Sequence, residues 1–225
     1  ADVHLLSSLD DIAWLLNIRG NDILCCPLVL AYLIIYKDHV ELFADEEKFS
    51  DDMKREFAKN HVALRPYTEI ENAVGKLSGR KKMLIDPERL SYALYKLIPD
   101  ETEMIEKENP EIIMKSVKND IETEHIRRAH LKDAAAHTKF IYWLKENIGK
   151  TEITERSASA RLEEFRKEQD GYLGPSFEPI SAYYEHGAIV HYSASKESDA
   201  RLEKGHFLLT DTGGHYKDGS TDITR

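Results

Sequence analysis

Asp211 and Asp222 are the residues whose type and spacing most invite chemistry. They stand in Phe207-Leu208-Leu209-Thr210-Asp211-Thr212-Gly213-Gly214-His215-Tyr216-Lys217-Asp218-Gly219-Ser220-Thr221-Asp222-Ile223-Thr224-Arg225. An apolar strand delivers Asp211 into a glycine pair, a hairpin signal follows at Lys217-Asp218-Gly219-Ser220, and the chain returns through Asp222. A hairpin brings the two carboxylates towards one place. Oxygen ligands favour Mg, Ca, Mn or a two-metal site, whose ions stand roughly 3.5–4 Å apart. Spacing alone leaves a plainer role open, in which both aspartates are turn residues beside glycine. A two-residue turn at Asp218-Gly219 would set Asp222 opposite His215, so a shared site on that register needs a bulge at Gly213-Gly214.

Other familiar chemistries are missing. No G-x-S-x-G elbow occurs, and the two cysteines, Cys25 and Cys26, are adjacent before Pro27, which suits packing better than a reactive thiolate. Gly75 and Gly79 do not have the spacing of a phosphate loop. His125, His130 and His137 share a helical pattern, but gaps of five and seven do not put two imidazoles on one ion, so they read as surface or packing residues. His191, in an apolar run from Gly187 to Ser193, reads by pattern as a core histidine on a strand.

Two blocks of elements must position these residues. From the start, strands at Val3–Ser7, Leu28–Tyr36, His39–Ala44, Val62–Tyr67 and Lys82–Asp86 alternate with helices begun by Ser8, the acidic stretch from Asp45, Thr68 and Pro87. Lys37-Asp38 has hairpin spacing, and the near-continuous apolar run Leu28–Tyr36 predicts a central strand. This is an α/β domain over residues 1–110. The texture changes between Pro99 and Pro110, and a second, α+β domain is expected over 111–225. Its long helix runs from Asn119 to about Ile148, with Ile126, Ala129, Ala136, Phe140, Trp143 and Leu144 on one face and Gly149 as its stop. Thr154 then caps a helix burying Ala158, Leu162, Phe165 and Gln169, and strands follow at Glu178–Tyr184, Gly187–Ser193 and His206–Asp211.

Composition narrows the class. The chain has 225 residues, 41% hydrophobic and 32% charged, with 31 basic against 41 acidic side chains and a formal charge of −10. That is a globular composition with an acidic balance, which argues against nucleic-acid binding; the run Arg80-Lys81-Lys82 is too short to reverse it. The longest apolar run, Leu28–Tyr36, falls far short of the roughly 20 residues of a membrane-spanning helix. Two adjacent cysteines form no disulfide framework, so a reducing compartment is expected. The chain begins inside an apolar run and closes at Asp222-Ile223-Thr224-Arg225, mid-strand by pattern, so both ends are read as cut from a longer polypeptide.

The C-terminal segment resembles the D-x-G-x-x-Y-x-x-G-x-x-D-x-T-R signature of pita-bread metallopeptidases, and its wording is most similar to the proline-specific aminopeptidases (aminopeptidase P). Further resemblances lie in Leu9-Asp10-Asp11-Ile12-Ala13-Trp14-Leu15-Leu16-Asn17-Ile18-Arg19-Gly20, Lys115-Ser116-Val117-Lys118, Arg127-Arg128-Ala129-His130, Glu164-Phe165-Arg166 and Gly187-Ala188-Ile189-Val190-His191-Tyr192. They cover nearly the whole chain. The resemblance implies a creatinase-N-like mixed α/β domain followed by the N-terminal half of a pita-bread catalytic domain. It implies that Asp211 is a terminal metal ligand, that Asp222 bridges two ions, usually manganese, and that His191 assists the reaction from outside the coordination sphere. It also implies release of the first residue from peptides with proline at the second position, a cytoplasmic setting and a homodimer, with no membrane or nucleic-acid partner. The family's site has two Asp, one His and two Glu, of which only the aspartates are present, so this chain alone is expected to be inactive. A dipeptide-cleaving prolidase and a non-catalytic pita-bread binding module are the competing readings.

Overall fold

The computed structural model describes residues 1–77, 79 and 81–225, so Arg80 of the basic run lies outside the described residues. The chain forms two compact units: Ala1–Ile23 with Pro27–Val117, and Leu24–Cys26 with Lys118–Arg225.

In the first unit every residue of β1 (Val3–Leu6) is buried, as an apolar run covered on both faces requires. Around it stands a six-stranded mixed sheet. In chain order the further elements are α1 (Leu9–Leu16), β2 (Ala31–Tyr36), β3 (Val40–Ala44), α2 (Asp51–Lys59), β4 (Val62–Pro66), α3 (Ile70–Gly75), β5 (Lys82–Ile85), α4 (Tyr92–Tyr95), β6 (Glu103–Glu106) and α5 (Pro110–Ser116). The strand order is β4-β3-β2-β1-β5-β6, with β2 antiparallel to both of its neighbours, β1 and β3, and the remaining pairings parallel. Alternation splits the core by face. Val3, Leu5, Ile34 and Phe43 pack with Ile70, Val74 and Leu94, whereas Leu6, Leu33 and Leu42 pack with Ile12 and Phe57. The hairpin at Lys37-Asp38 forms as its spacing predicts, with Ile35 opposite Val40.

Several boundaries differ. Ser8 holds the N-cap position of α1, but its hydroxyl accepts from Asn109 Nδ2 (3.2 Å) and does not close the helix. Thr68 lies inside a 3-10 turn, Tyr67–Glu69, ahead of α3. Pro87 opens a turn, and the following helix waits for Ser91, whose hydroxyl accepts the Leu94 N–H. The acidic stretch forms a 3-10 turn, Glu46–Lys48, capped by Asp45, and then α2, capped by Ser50. The Pro99–Pro110 stretch holds β6, an edge strand whose Glu103, Met104 and Glu106 are exposed and give no apolar pattern to read.

The second unit is built on α6 (Asp120–Asn147) and α7 (Glu155–Lys167). Both begin in reciprocal capping boxes, Asn119 with Glu122 and Thr154 with Ser157, each worth about 1 kcal/mol. Gly149, at φ 77°, ends the first helix where only a residue tolerant of left-handed backbone fits. Ala136 and Phe140 of α6 meet Ala158, Leu162 and Phe165 of α7, with Ile153 and Leu202 closing the cluster. Six short strands follow: β7 (Tyr172–Pro175), β8 (Ile180–Tyr183), β9 (Leu208–Thr212), β10 (Gly214–Tyr216), β11 (Gly219–Ser220) and β12 (Ile223–Thr224). They form two antiparallel sheets, β11-β10-β7 and β12-β9-β8. The strand expected at Gly187–Ser193 is absent: a 3-10 helix, Tyr184–Ala188, takes its place and leads into a turn. β7 has no counterpart in the sequence reading, because Gly174 and Pro175 hide it.

Candidate functional site

One long hairpin carries both aspartates. The turn lies at Lys217-Asp218, with Tyr216 opposite Gly219, one residue earlier than the Asp-Gly pair suggests. The same register continues through Thr212 opposite Ile223 and Asp211 opposite Thr224, so no bulge between the two arms is needed to bring the carboxylates together. Asp222 falls one step beyond Ile223 and therefore shares a sheet face with Asp211 as its diagonal neighbour, roughly 7–8 Å away by Cα. Asp211 is half-buried and accepts from Thr224 Oγ1 at 2.9 Å; Asp222 is exposed.

The hairpin is held from its other face. Thr212 and Thr221, one residue from each aspartate, point away from the carboxylates by strand alternation. Arg166 of α7 sets Nε 2.7 Å from Asp133 Oδ1 and Nη2 3.3 Å from Oδ2, a fork-like ion pair in which both side chains are at most 2% exposed. Arg166 Nη2 also donates to Thr212 Oγ1 (2.9 Å). Asp133 accepts from Thr221 Oγ1 (2.5 Å) and Tyr216 Oη (3.3 Å), and the Thr221 hydroxyl accepts the Gly214 N–H at 2.9 Å. Burial and then the Asp133 charge push the Tyr216 phenol above its ordinary range. The hairpin tip rests on α6 through an ion pair between Lys132 and Asp218, and a Cβ at Gly219 would touch Ile126 and Ala129. Asp133 was not legible as a site residue, since a charge inside the Ala129–Ala136 stripe reads as an interruption of the apolar face.

His191 is placed differently from the expectation. It is exposed, with φ 54°, after the 3-10 helix and not within a strand, so it is not a core histidine. What is fixed is its neighbour. Tyr192 is buried, and its hydroxyl donates to Glu155 Oε2 at 2.8 Å. Glu155 also accepts from the N–H groups of Tyr183 (2.6 Å) and Ala200 (3.1 Å) and lies 2.9 Å from His186 Nδ1. Burial pushes the Glu155 carboxyl up, but those hydrogen bonds outweigh it and hold the acid below its ordinary 4.5. No hydrogen bond joins His191 to either aspartate among the described residues.

The donor set suits hard divalent ions: two carboxylates on one face, neither tied into an ion pair among the described residues. It is only part of a centre, because no group of three or more His, Cys, Asp or Glu among the described residues is arranged to hold a metal. A cleft of about 410 Å³ beside α7 is lined by Glu155, Glu163, Arg166, Ser181 and Thr212, and by none of His191, Asp211 or Asp222. It sits behind the hairpin. The cysteines are not packing residues as the sequence suggests: Cys25 is half-buried and Cys26 exposed, and burial, then Glu178, raise the Cys25 thiol pKa. His130 is exposed and His125 half-buried, whereas His137 is buried.

Comparison with known proteins supplies what geometry leaves open. The creatinase/prolidase N-terminal domain family matches residues 1–122, and metallopeptidase family M24 matches residues 124–225. Xaa-Pro aminopeptidase 1 of Dictyostelium discoideum is 38% identical over 230 residues, covering 100% of this chain and 36% of that protein. Xaa-Pro aminopeptidase 2 of Sus scrofa is 37% identical over 227 residues, covering 98% of this chain and 34% of that protein. The crystal structure of X-prolyl aminopeptidase from Caenorhabditis elegans, described as a cytosolic enzyme with a di-nuclear active site, superposes with a TM-score of 0.95 at 31% identity, covering 100% of this chain and 38% of that one. An Xaa-Pro dipeptidase from Bacillus anthracis shares the fold, with a TM-score of 0.75 at 21% identity over 100% of this chain and 59% of that one. The chain spans about a third of the length of the curated relatives it matches. With both of its units matched and the hairpin signature in place, the chain belongs to the creatinase/prolidase family and carries its N-terminal domain and the start of an M24 pita-bread metallopeptidase domain.

Proposed function

We propose that this chain is part of a metal-dependent aminopeptidase that removes the first residue from peptides with proline in the second position. The observation that carries the reading is the placement of Asp211 and Asp222 on one face of a single hairpin in a chain whose whole length matches Xaa-Pro aminopeptidases. In this reading two divalent ions, most simply manganese, would be held in part by Asp211, as a ligand to one, and by Asp222, as a ligand shared between them. The ions would supply a water of near-neutral pKa and polarise the scissile carbonyl. Thr224 orients Asp211 by its 2.9 Å hydrogen bond, and Asp222 stays open on the exposed side. His191, held at a fixed distance along the chain by buried Tyr192, offers an imidazole to hydrogen-bond the reacting carbonyl oxygen or pass a proton to the departing proline nitrogen. That nitrogen carries no N–H in the substrate and its φ is fixed, so strand-like substrate binding fails and a dedicated site is needed.

The two domains divide between residues 110 and 111 in this account, the protein acts as a homodimer in the cytoplasm, and nucleic acid and membrane are not partners. The acidic balance supports the third point, and no helix among the described residues is long and apolar enough to cross a membrane. The 225 residues alone are expected to be inactive, since the described residues assemble no group of three metal-binding side chains. The test is chromatographic: the product of the gene at its encoded length, loaded with Mn2+, should release the first residue from a Xaa-Pro-Xaa peptide but not from its Xaa-Ala-Xaa analogue. Cleavage of Xaa-Pro dipeptides alone would show the prolidase reading, and no cleavage of either would show a binding module.

A further inference from the structure

We propose that Asp133 and Arg166 are positioning residues for the metal centre, which set the spacing of Asp211 and Asp222 by gripping the neighbour of each. This rests on the reading of the two aspartates as metal ligands. The juxtaposition is specific: one buried ion pair sends one bond to Thr212, next to Asp211, and another to Thr221, next to Asp222. Because alternate residues point to opposite faces, a shift of either threonine is transmitted directly to the carboxylate beside it. A metal centre tolerates ligand distances within about 0.2 Å, tighter than a two-stranded β-ladder would hold by itself.

A purely structural role is a weaker account of the pair. Buried ion pairs are poor stabilisers, and apolar residues of similar volume pack as well or better. Here the polar atoms instead fix a relation between two strands. Asp133 accepts from Thr221 and Tyr216, the Thr221 hydroxyl accepts the Gly214 N–H, and Arg166 completes the circuit to the opposite arm at Thr212. Outer groups that orient metal ligands commonly change affinity by about 10–100-fold when removed.

The experiment uses the gene product at its encoded length, stripped of metal and titrated with Mn2+ while free Mn2+ is read by electron paramagnetic resonance. Arg166→Gln leaves Asp133 buried and unpaired and is prone to unfold, so the principal variant is Thr212→Val with Thr221→Val, which removes both grips and keeps the ion pair. Expected are a native circular-dichroism spectrum, Mn2+ affinity weakened at least ~10-fold, and a lowered kcat with KM within about twofold. Thr221→Ser, which restores the hydroxyl, should recover affinity to within about threefold of the parent. If the double variant does not fold, Thr212→Val alone carries the test, with an expected loss of about threefold. A folded variant with parental Mn2+ affinity overturns the positioning role. Asp222→Asn separates the two ideas: if it loses Mn2+ while the valine variants do not, only the positioning role fails, and if it keeps Mn2+, the ligand reading fails and this proposal with it.

Discussion

Gly213 is the residue on which the paired geometry of the hairpin depends, and replacing it with alanine should unfold the second unit far more readily than its small size suggests. It stands opposite Asp222 in the ladder, where a Cβ would lie 2.0 Å from the Thr221 carbonyl oxygen and 2.2 Å from Ser176 Oγ. Those two oxygens are themselves joined by a 2.7 Å hydrogen bond running through the space a side chain would need. Restoring ordinary contact requires the Thr221 backbone to retreat by about 1.4 Å, which also pulls its hydroxyl from Asp133. Overpacking against backbone costs about 3 kcal/mol and the lost hydrogen bond about 1 kcal/mol more. The assay, on these 225 residues, is urea unfolding followed by Trp143 fluorescence in a Trp14→Phe background, so that the one tryptophan left among them reports on α6. A loss of ~4 kcal/mol lowers the midpoint by about 2 M. Ser176→Ala should not rescue it, because the backbone clash remains, and Gly187→Ala, whose nearest neighbour is the Ala182 carbonyl oxygen at 3.9 Å, should stay within ~0.5 kcal/mol of the parent. A Gly213→Ala midpoint within about 0.3 M of the parent would refute the reasoning.

Other perturbations read other parts of the account. His137 is buried beside Phe140 with neither ring nitrogen hydrogen-bonded among the described residues, and burial, then Arg166, hold its imidazole below the ordinary 6.5, with Arg225 adding to and Asp133 opposing the shift. The unfolded chain therefore binds the proton first, the stability is whole above pH 6.5 and drains as pH falls below it, and His137→Met should flatten the change in urea midpoint between about pH 7.5 and 5.5. Glu155→Gln turns an acceptor of several hydrogen bonds into a group that must itself donate, and should cost about 2–4 kcal/mol in urea unfolding at pH 7. Since Glu155 is held below 4.5, that cost should shrink as pH falls below 4.5, and a pH-independent cost contradicts the assignment. Asp222→Ala touches an exposed side chain and should change stability by less than ~0.5 kcal/mol, whereas Asp211→Ala loses the Thr224 bond and should cost about 1 kcal/mol, both read by thermal melting without metal.

The sequence was legible where one physical signal dominated. The β1 strand, the Lys37-Asp38 hairpin, the Thr154 cap and the Gly149 stop each rest on short-range rules, and each forms as read. The errors came where tertiary partners decide. Glycine at Gly219 suggested a turn through Asp218-Gly219, but packing against Ile126 and Ala129 and the Lys132–Asp218 pair place the turn one residue earlier. The run Gly187–Ser193 has a strand-like composition, yet the partners that Glu155 takes from Tyr183, His186 and Tyr192 bend it into a 3-10 helix and turn. Family likeness named Asp211, Asp222 and His191, but nothing in spacing marked Asp133 or singled out Arg166 as the link between helices and hairpin. Their value lies in contacts 33 to 88 residues apart in the chain.

The most direct test of the central claim is anomalous scattering from crystals of the gene product at its encoded length, grown with Mn2+ and measured at the manganese edge. The account predicts two peaks roughly 3.5–4 Å apart, with Asp222 oxygens on both and Asp211 on one. Peaks placed elsewhere, or a fully Mn2+-loaded crystal with Asp222 free in solvent, would contradict it.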